Sequence, residues 1–381
     1  MQATNELAHV LRAQWNVIEQ IAQRKKINSW QIRTLSAISK CRTFHLGGHI
    51  DGCTNCKKLR ISYNSCRNRH CPKCQGNERE NWIAQREKEL LPVAYFHVVF
   101  TLPSELNSFC MQHPKIMYDA LFDAAWQTIS AFSNDEKHLG AIGGMISILH
   151  TWGQQLTLHP HLHCIIPAGG ITKNGKWKNS KTNGDYLFPV KALSSVFRAK
   201  YIYCIRKAVL IENKKREQNI ILSREIINQC FKKSWVVYAK KPFSGVSSVV
   251  EYLGRYTHKI AISNHRITEI NKTKNTVSFT YKDYKENGKK KQLTLSSLEF
   301  MRRFTLHILP KRLVRIRHYG ILSSTSKKIC IPLIRKQFKN VKVKSIKSKA
   351  IIYNPLLCRC CKKETMIQLL NFDLRGPPKE W

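Results

Sequence analysis

Two CxxC pairs near the N-terminus limit what this chain can fold into more than any other feature. Cys53-Thr-Asn-Cys56 is followed, fourteen residues on, by Cys71-Pro-Lys-Cys74. Thiolates presented by two tight turns at that separation can wrap one tetrahedral Zn²⁺, and free core cysteines have no reason to be so regular. Cys41, His45, His49, Cys66 and His70 lie around these pairs and offer a second zinc site drawing on some of them. Structural zinc would fold a small module with little apolar core of its own. The chain has 14 cysteines, and a second cluster sits near the other end, Cys358-Arg-Cys360-Cys361. It supplies one CxxC and a spare thiol, with no second pair beside it.

Charge narrows the partner. Lys and Arg number 65 against 24 Asp and Glu, a net charge of +41. A surplus of that size calls for a polyanion, most simply nucleic acid. No basic amphipathic helix or lipidation site stands out, which disfavours a membrane-surface role. No apolar run reaches the length of a membrane span, and the start, Met1-Gln-Ala-Thr-Asn-Glu6, lacks the form of a signal peptide. The expected location is the cytoplasm, in association with the nucleoid. There is no P-loop, so no nucleotide cofactor is expected. A chain of 381 residues has room for two or three domains.

The first segment, 4–23, has apolar residues at helical spacing, and Asn28 to Ile38 reads as a second helix leading into the cysteines. Gly76 to Leu90 is polar and helical. Ala94 to Pro103 is a continuous apolar β run, read as the central strand of a second domain. Residues 114–133 form an amphipathic helix, Gly143 to Trp152 a strand, and 190–213 another helix. Lys173-Asn-Gly-Lys176 carries a hairpin turn signal. This order suggests a small antiparallel sheet with helices on one face. Ser247 to His258 reads as a helix, Ile260 to Tyr284 as a hairpin, and Ser297 to Leu309 as a helix stopped by Pro310. From Lys311 to Lys363 there are sixteen Lys or Arg residues and no Asp or Glu.

The chemistry-bearing stretch is His159-Pro160-His161-Leu162-His163, followed by Cys164-Ile-Ile-Pro167. It reads as a short strand, so His161 and His163 point to one face and can hold one divalent ion. His159 shares that face by period two, and Gln155 lies just upstream. Tyr252 and Tyr256 are four apart on a helical pattern and so share a helix face. A two-histidine metal strand, paired tyrosines and a basic chain together suit DNA strand scission: a metal polarises the phosphodiester and a tyrosine attacks it.

These residues resemble the two-tyrosine HUH transposases of the rolling-circle insertion-sequence type, insertion sequence family ninety-one. The matching segments are Cys41-Arg-Thr-x-x-Leu-Gly-Gly-His49, Tyr63 to Gln75, Tyr95 to Pro103, Leu149-His-Thr-Trp-Gly153 with His159 to His163, Tyr252-Leu-Gly-Arg-Tyr-Thr-His258 with Ile260 to Asn264, and Phe304 to Pro310 with Arg315-Ile-Arg-His-Tyr-Gly320. The resemblance implies an α+β protein: a helical zinc-binding DNA-recognition domain (1–90), a ferredoxin-like HUH nuclease domain with an antiparallel sheet and helices (91–320), and a basic C-terminal tail (321–381). It implies that His161 and His163 hold Mg²⁺ or Mn²⁺ with a third protein ligand, open between His159, Gln155 and a residue of the tyrosine helix or elsewhere, and that Tyr252 and Tyr256 are nucleophiles forming 5′-phosphotyrosine. DNA, mainly single-stranded element ends and target, is the implied partner, with phosphate contacts expected from Arg60, Arg67, Arg69, Arg255, Lys259, Arg315 and Arg317. The Cys358 cluster looks like an eroded zinc knuckle. A replication initiator or relaxase would share the chemistry, and a catalytically inactive zinc-dependent DNA-binding protein would share only the zinc module.

Overall fold

The computed structural model describes residues 5–24, 26–75, 83, 89–181, 187–217, 219–243, 249, 254, 259–338 and 354–373. The first expected helix is two, Leu7–Ala13 and Trp15–Gln23, broken at Gln14, whose backbone leaves the helical region. Helix Ser29–Ser39 starts where expected. Asn28 caps it in a reciprocal box, accepting from the Gln31 amide at 3.0 Å while Gln31 accepts from the Asn28 amide at 2.9 Å. The polar stretch from Gly76 to Leu90 lies almost wholly outside the described residues.

Strands β1 (Gly48–Cys53) and β2 (Leu59–Tyr63) form a hairpin. β3 (Tyr95–Thr101), β4 (Gly144–Trp152) and β5 (Leu158–Pro167) follow, then the short pair β6 (Gly169–Ile171) and β7 (Trp177–Asn179), and then β8 (Val237–Phe243). The β6–β7 connection contains the expected Asn-Gly turn, with Gly175 at φ +74° where a side chain would be strained. β9 (Ile267–Asn271), β10 (Thr276–Asp283) and β11 (Lys289–Ser296) make a three-stranded meander, and β12 (Ile316–Gly320) and β13 (Met366–Phe372) complete the set.

The main sheet is antiparallel with order β12-β4-β5-β3-β8, so the histidine strand β5 is central and β3 lies beside it. Period-two alternation divides its faces. Phe96, Val98 and Phe100 of β3, Leu149 of β4, and Leu162, Cys164 and Ile166 of β5 join the core under the helices Pro114–Asn134 and Val190–Arg216. Each such fully buried Phe or Leu contributes about 1.5–3 kcal/mol. The opposite face is covered too, which the expectation of helices on one face did not include. Ile146, Ile148 and Ile165 pack there with Ile331 and Ile334 of helix Lys327–Gln337.

The hairpin expected over Ile260 to Tyr284 is shifted and enlarged. Ile260 to Ser263 is not a strand, and the lysine-rich β11, unseen in the sequence, is the third strand. Its alternating exposed and half-buried residues pack one face only, so lysines could occupy the other. This meander and helix Ser297–Thr305 share a core with the N-terminal helices: Leu7, Leu11, Ile18 and Leu35 pack with Val277, Phe279, Phe300 and Phe304. Trp30 Nε1 also donates to the Leu309 carbonyl at 3.0 Å. Residues 1–90 therefore do not have a core separate from residues 91–320. The segment 321–381 is not a simple tail either, because β13 pairs antiparallel with β1 from Gly48↔Phe372 to Cys53↔Met366.

Candidate functional site

The histidine strand meets its neighbours on the face turned away from the two-helix core. In the register of β4 against β5, His150 stands opposite His161 and Ile148 opposite His163. The ligand atoms of His150, His161 and His163 all lie within 4.8 Å of one another. His150 is the third member that the sequence left open. His159 is exposed at the rim, and its contribution is its carbonyl, 2.6 Å from His161 Nδ1. That bond fixes the ring and leaves His161 Nε2 as the free nitrogen. The Gln155 carbonyl accepts from Arg303 at 2.9 Å, which holds the 153–157 loop in place.

His97 was missed. Its Nε2 lies 3.0 Å from His163 Nδ1, so His163 too is oriented through one nitrogen and presents the other. A histidine inside the apolar run of β3, two residues from Val99 which pairs with His163, was the available signal.

Burial keeps His161 and His163 neutral. It lowers His161 to about 4, and it drives His163 well below its ordinary value, helped by His161, His97 and two cations. Neutral rings with directed lone pairs fit a divalent cation at neutral pH; protonated rings would repel it. His307 is likewise lowered to about 4 by burial, its Nε2–H donating to the Leu156 carbonyl and its Nδ1 facing Thr151 Oγ1. In the unfolded chain such groups protonate near pH ~6.5. Between that value and about 4 the unfolded state therefore binds more protons, so stability rises with pH. The metal-free protein should lose stability as pH falls across this interval and show no contribution from these groups above it. Urea midpoints measured from pH 7.5 to 4.5 check this; a flat profile would reject the buried neutral assignment.

The three rings open onto a cavity of about 440 Å³. Its far wall is the β10 end and following turn, Tyr281, Lys282, Asp283 and Tyr284, with Arg266, Lys259 and Trp152 at the sides. Arg266 ties the wall to the histidine side: Nε donates to the Thr280 carbonyl at 2.8 Å and Nη2 donates to the Gln154 carbonyl. A cationic and aromatic lining beside three imidazoles suits a phosphodiester with flanking bases.

Not all the arginines expected on DNA are available for it. Arg60 pairs with Asp51 at 2.7 Å and donates to the Pro355 carbonyl at 2.9 Å. Arg69 donates to the Leu313 carbonyl at 2.5 Å and the Pro310 carbonyl at 2.8 Å, satisfying chain after helix Ser297–Thr305. Arg315 is held by the Leu149 and Lys259 carbonyls, and Arg317 pairs with Asp119 above the Phe122 ring. Acceptors within the fold hold each of these four guanidiniums. Arg67 is exposed and Lys259 lines the cavity. Arg255, Tyr252 and Tyr256 lie outside the described residues.

The cysteines are grouped differently from the expected Cys53, Cys56, Cys71 and Cys74 site. Cys71 and Cys74 meet Cys41 and Cys66, while Cys53 and Cys56 meet Cys358 and Cys361. In the first group Cys41 and Cys66 each lie 3.6 Å from Cys74, Sγ to Sγ. Four thiolates about 2.3 Å from a tetrahedral zinc would be roughly 3.8 Å apart, so this set fits Zn²⁺. The histidines offered for a second zinc take no part. His45 is exposed, His49 faces Asp51 at 3.5 Å, and His70 is buried apart from both groups. The misassignment has a physical cause: the first CxxC pair sits at the turn between β1 and β2, and β2 runs back from it before the second pair, so the two pairs lie at different ends of the module.

Residues 11–102 match the family described as "Transposase zinc-binding domain", and residues 144–329 match the family described as "Putative transposase". The chain is 36% identical to "Putative transposase y4qJ" of Sinorhizobium fredii, over 94% of this chain and 94% of that protein. It is 26% identical to "Transposase for insertion sequence element IS801" of Pseudomonas savastanoi pv. phaseolicola, over 82% of this chain and 74% of that protein. Among solved structures it is similar to a metal-bound conjugative relaxase TrwC in complex with oriT DNA, at 12% identity and a TM-score of 0.24, covering 45% of this chain and 73% of that one.

Proposed function

Because the chain belongs to the IS91 family of transposases, with an N-terminal zinc-binding domain, we propose that it nicks and rejoins single-stranded DNA at the His150, His161 and His163 centre, with Tyr252 and Tyr256 as nucleophiles. The observation that carries this reading is the triad itself: three imidazoles on one sheet face, opening onto a cationic, aromatic cavity. A divalent cation held there, Mg²⁺ or Mn²⁺, would supply Lewis-acid polarisation of the scissile phosphodiester.

The chain's own residues do the remaining work. His97 and the His159 carbonyl hold two of the rings in orientation. Lys259 and Arg266 bring positive charge to the phosphate, and Trp152, Tyr281 and Tyr284 offer ring faces to unstacked bases. In sequence Tyr256 stands three residues before Lys259, which borders the cavity. The phenolate oxygen attacks phosphorus, the bond to the 3′ oxygen breaks, and a 5′-phosphotyrosine and a free 3′-OH result. Attack by a 3′-OH reverses the step and releases the tyrosine, so rejoining consumes no nucleotide. Two tyrosines allow one to hold the first end while the other opens the next, as rolling-circle transposition requires.

Labelled single-stranded DNA carrying the element's ends is expected to be cut in Mg²⁺ or Mn²⁺, to stay intact after chelation, and to be cut again on adding the metal back. Cleavage that continues at the same rate in excess chelator rejects a metal-assisted centre.

A further inference from the structure

We propose that Cys53, Cys56, Cys358 and Cys361 hold a second structural Zn²⁺, which fastens the segment leading into β13 onto the N-terminal module. Cys358 and Cys361 lie beyond both matched family segments. The CxxC at the end of the chain is therefore a working half-site whose partner is about three hundred residues upstream.

Three observations carry this. First, the sulfurs are placed as ligands: Cys53 and Cys361 are 3.6 Å apart, as are Cys56 and Cys358, and all four lie within 4.8 Å of one another. That matches the ~3.8 Å edge of a zinc tetrathiolate, and none of these cysteines is in a disulfide.

Second, the two half-sites have the same backbone design. In the first, the Cys53 amide donates to the Lys58 carbonyl at 3.0 Å, the Lys57 amide donates to the Cys53 carbonyl at 3.0 Å, and Lys57 has φ +58°. In the second, the Cys358 amide donates to the Lys363 carbonyl at 2.8 Å, the Lys362 amide donates to the Cys358 carbonyl at 2.9 Å, and Lys362 has φ +60°. Lysine does not adopt the left-handed region without cause, and the same departure at the same offset from each CxxC marks a built turn. The Cys56 amide also points at Cys53 Sγ at 3.3 Å, and Thr365 Oγ1 lies 3.0 Å from it, as expected around a thiolate.

Third, little else could order this region. The apolar cluster there is Cys53, Cys358 and Met366 with Cys56 and Cys361 against it. So small a core needs a metal staple. β13 then extends the ribbon beside β1, and Gly47, at φ +69°, lets the Phe372 carbonyl approach to where a Cβ would stand 2.5 Å away. The site joins two segments about three hundred residues apart and completes only once Cys361 is made.

The test uses the full-length chain. Zinc released by titrating thiolates with an organomercurial, which leaves imidazole-bound metal in place, should amount to two ions per chain. It should fall to one in the Cys358→Ser, Cys361→Ser double variant and stay at two in Cys360→Ser, whose thiol is exposed and outside the cluster. One ion in the wild type, or two in the double variant, overturns the proposal. Should the double variant not fold, the wild type decides alone by alkylation and peptide mapping. Cys360 should react at once, and Cys358 and Cys361 only after chelation; equal rates at all three would overturn the site.

Discussion

Replacing His150 by alanine is expected to raise the divalent-ion concentration needed for half-maximal DNA cleavage by about 100-fold or more. The reasoning starts from register. His150 is opposite His161 on the adjacent strand, so its ring reaches the same point as the rings of β5. Loss of a partner that merely orients a ligand costs about 10–100-fold in metal affinity, and loss of a ligand removes a bond as well. His97→Ala, which removes the 3.0 Å contact to His163 Nδ1 and leaves the three ligands, belongs in the lower range. Saturating metal should rescue much of the His97 variant and less of the His150 variant. Titrations of cleavage rate against Mn²⁺ for the two variants and wild type give the comparison. A His150→Ala protein with an unchanged metal requirement would remove His150 from the centre.

That ordering explains why part of the site was legible in the sequence and part was not. His161 and His163 were legible because period two is a local rule and both residues are on one strand. His150 and His97 needed the pairing of three strands, which spacing along one strand does not contain. The cysteines failed for the same reason in a stronger form. The nearest pairs in sequence looked like one site, but the length of strand β2 separates them. The true partner of Cys53 and Cys56 lies at the other end of the chain. The arginines are ambiguous in a different way. Positive charge near a motif reads as phosphate contact, yet a guanidinium with five donors is also the best group for satisfying several carbonyls inside a fold. Arg69 and Arg315 are used that way. The elements themselves were largely readable from periodicity: the strands β3 to β5 and the helices Ser29–Ser39 and Pro114–Asn134 lie close to where it puts them. β11 was not, because three lysines at its start outweigh an alternation that packs one face only.

If tyrosine becomes covalently joined to DNA beside the histidine centre, the bond can be trapped. Single-stranded DNA from the element's ends, incubated with protein and Mn²⁺ and run under denaturing conditions, should give a protein–DNA adduct with the wild type. Tyr252→Phe and Tyr256→Phe should each still form adducts through the remaining tyrosine. The double variant should form adduct slower by about 10⁴-fold or more, the scale on which losing a nucleophile acts. Its binding to the same DNA should be unchanged and should weaken with salt as the wild type's does. Adduct formation by the double variant at the wild-type rate would contradict the account.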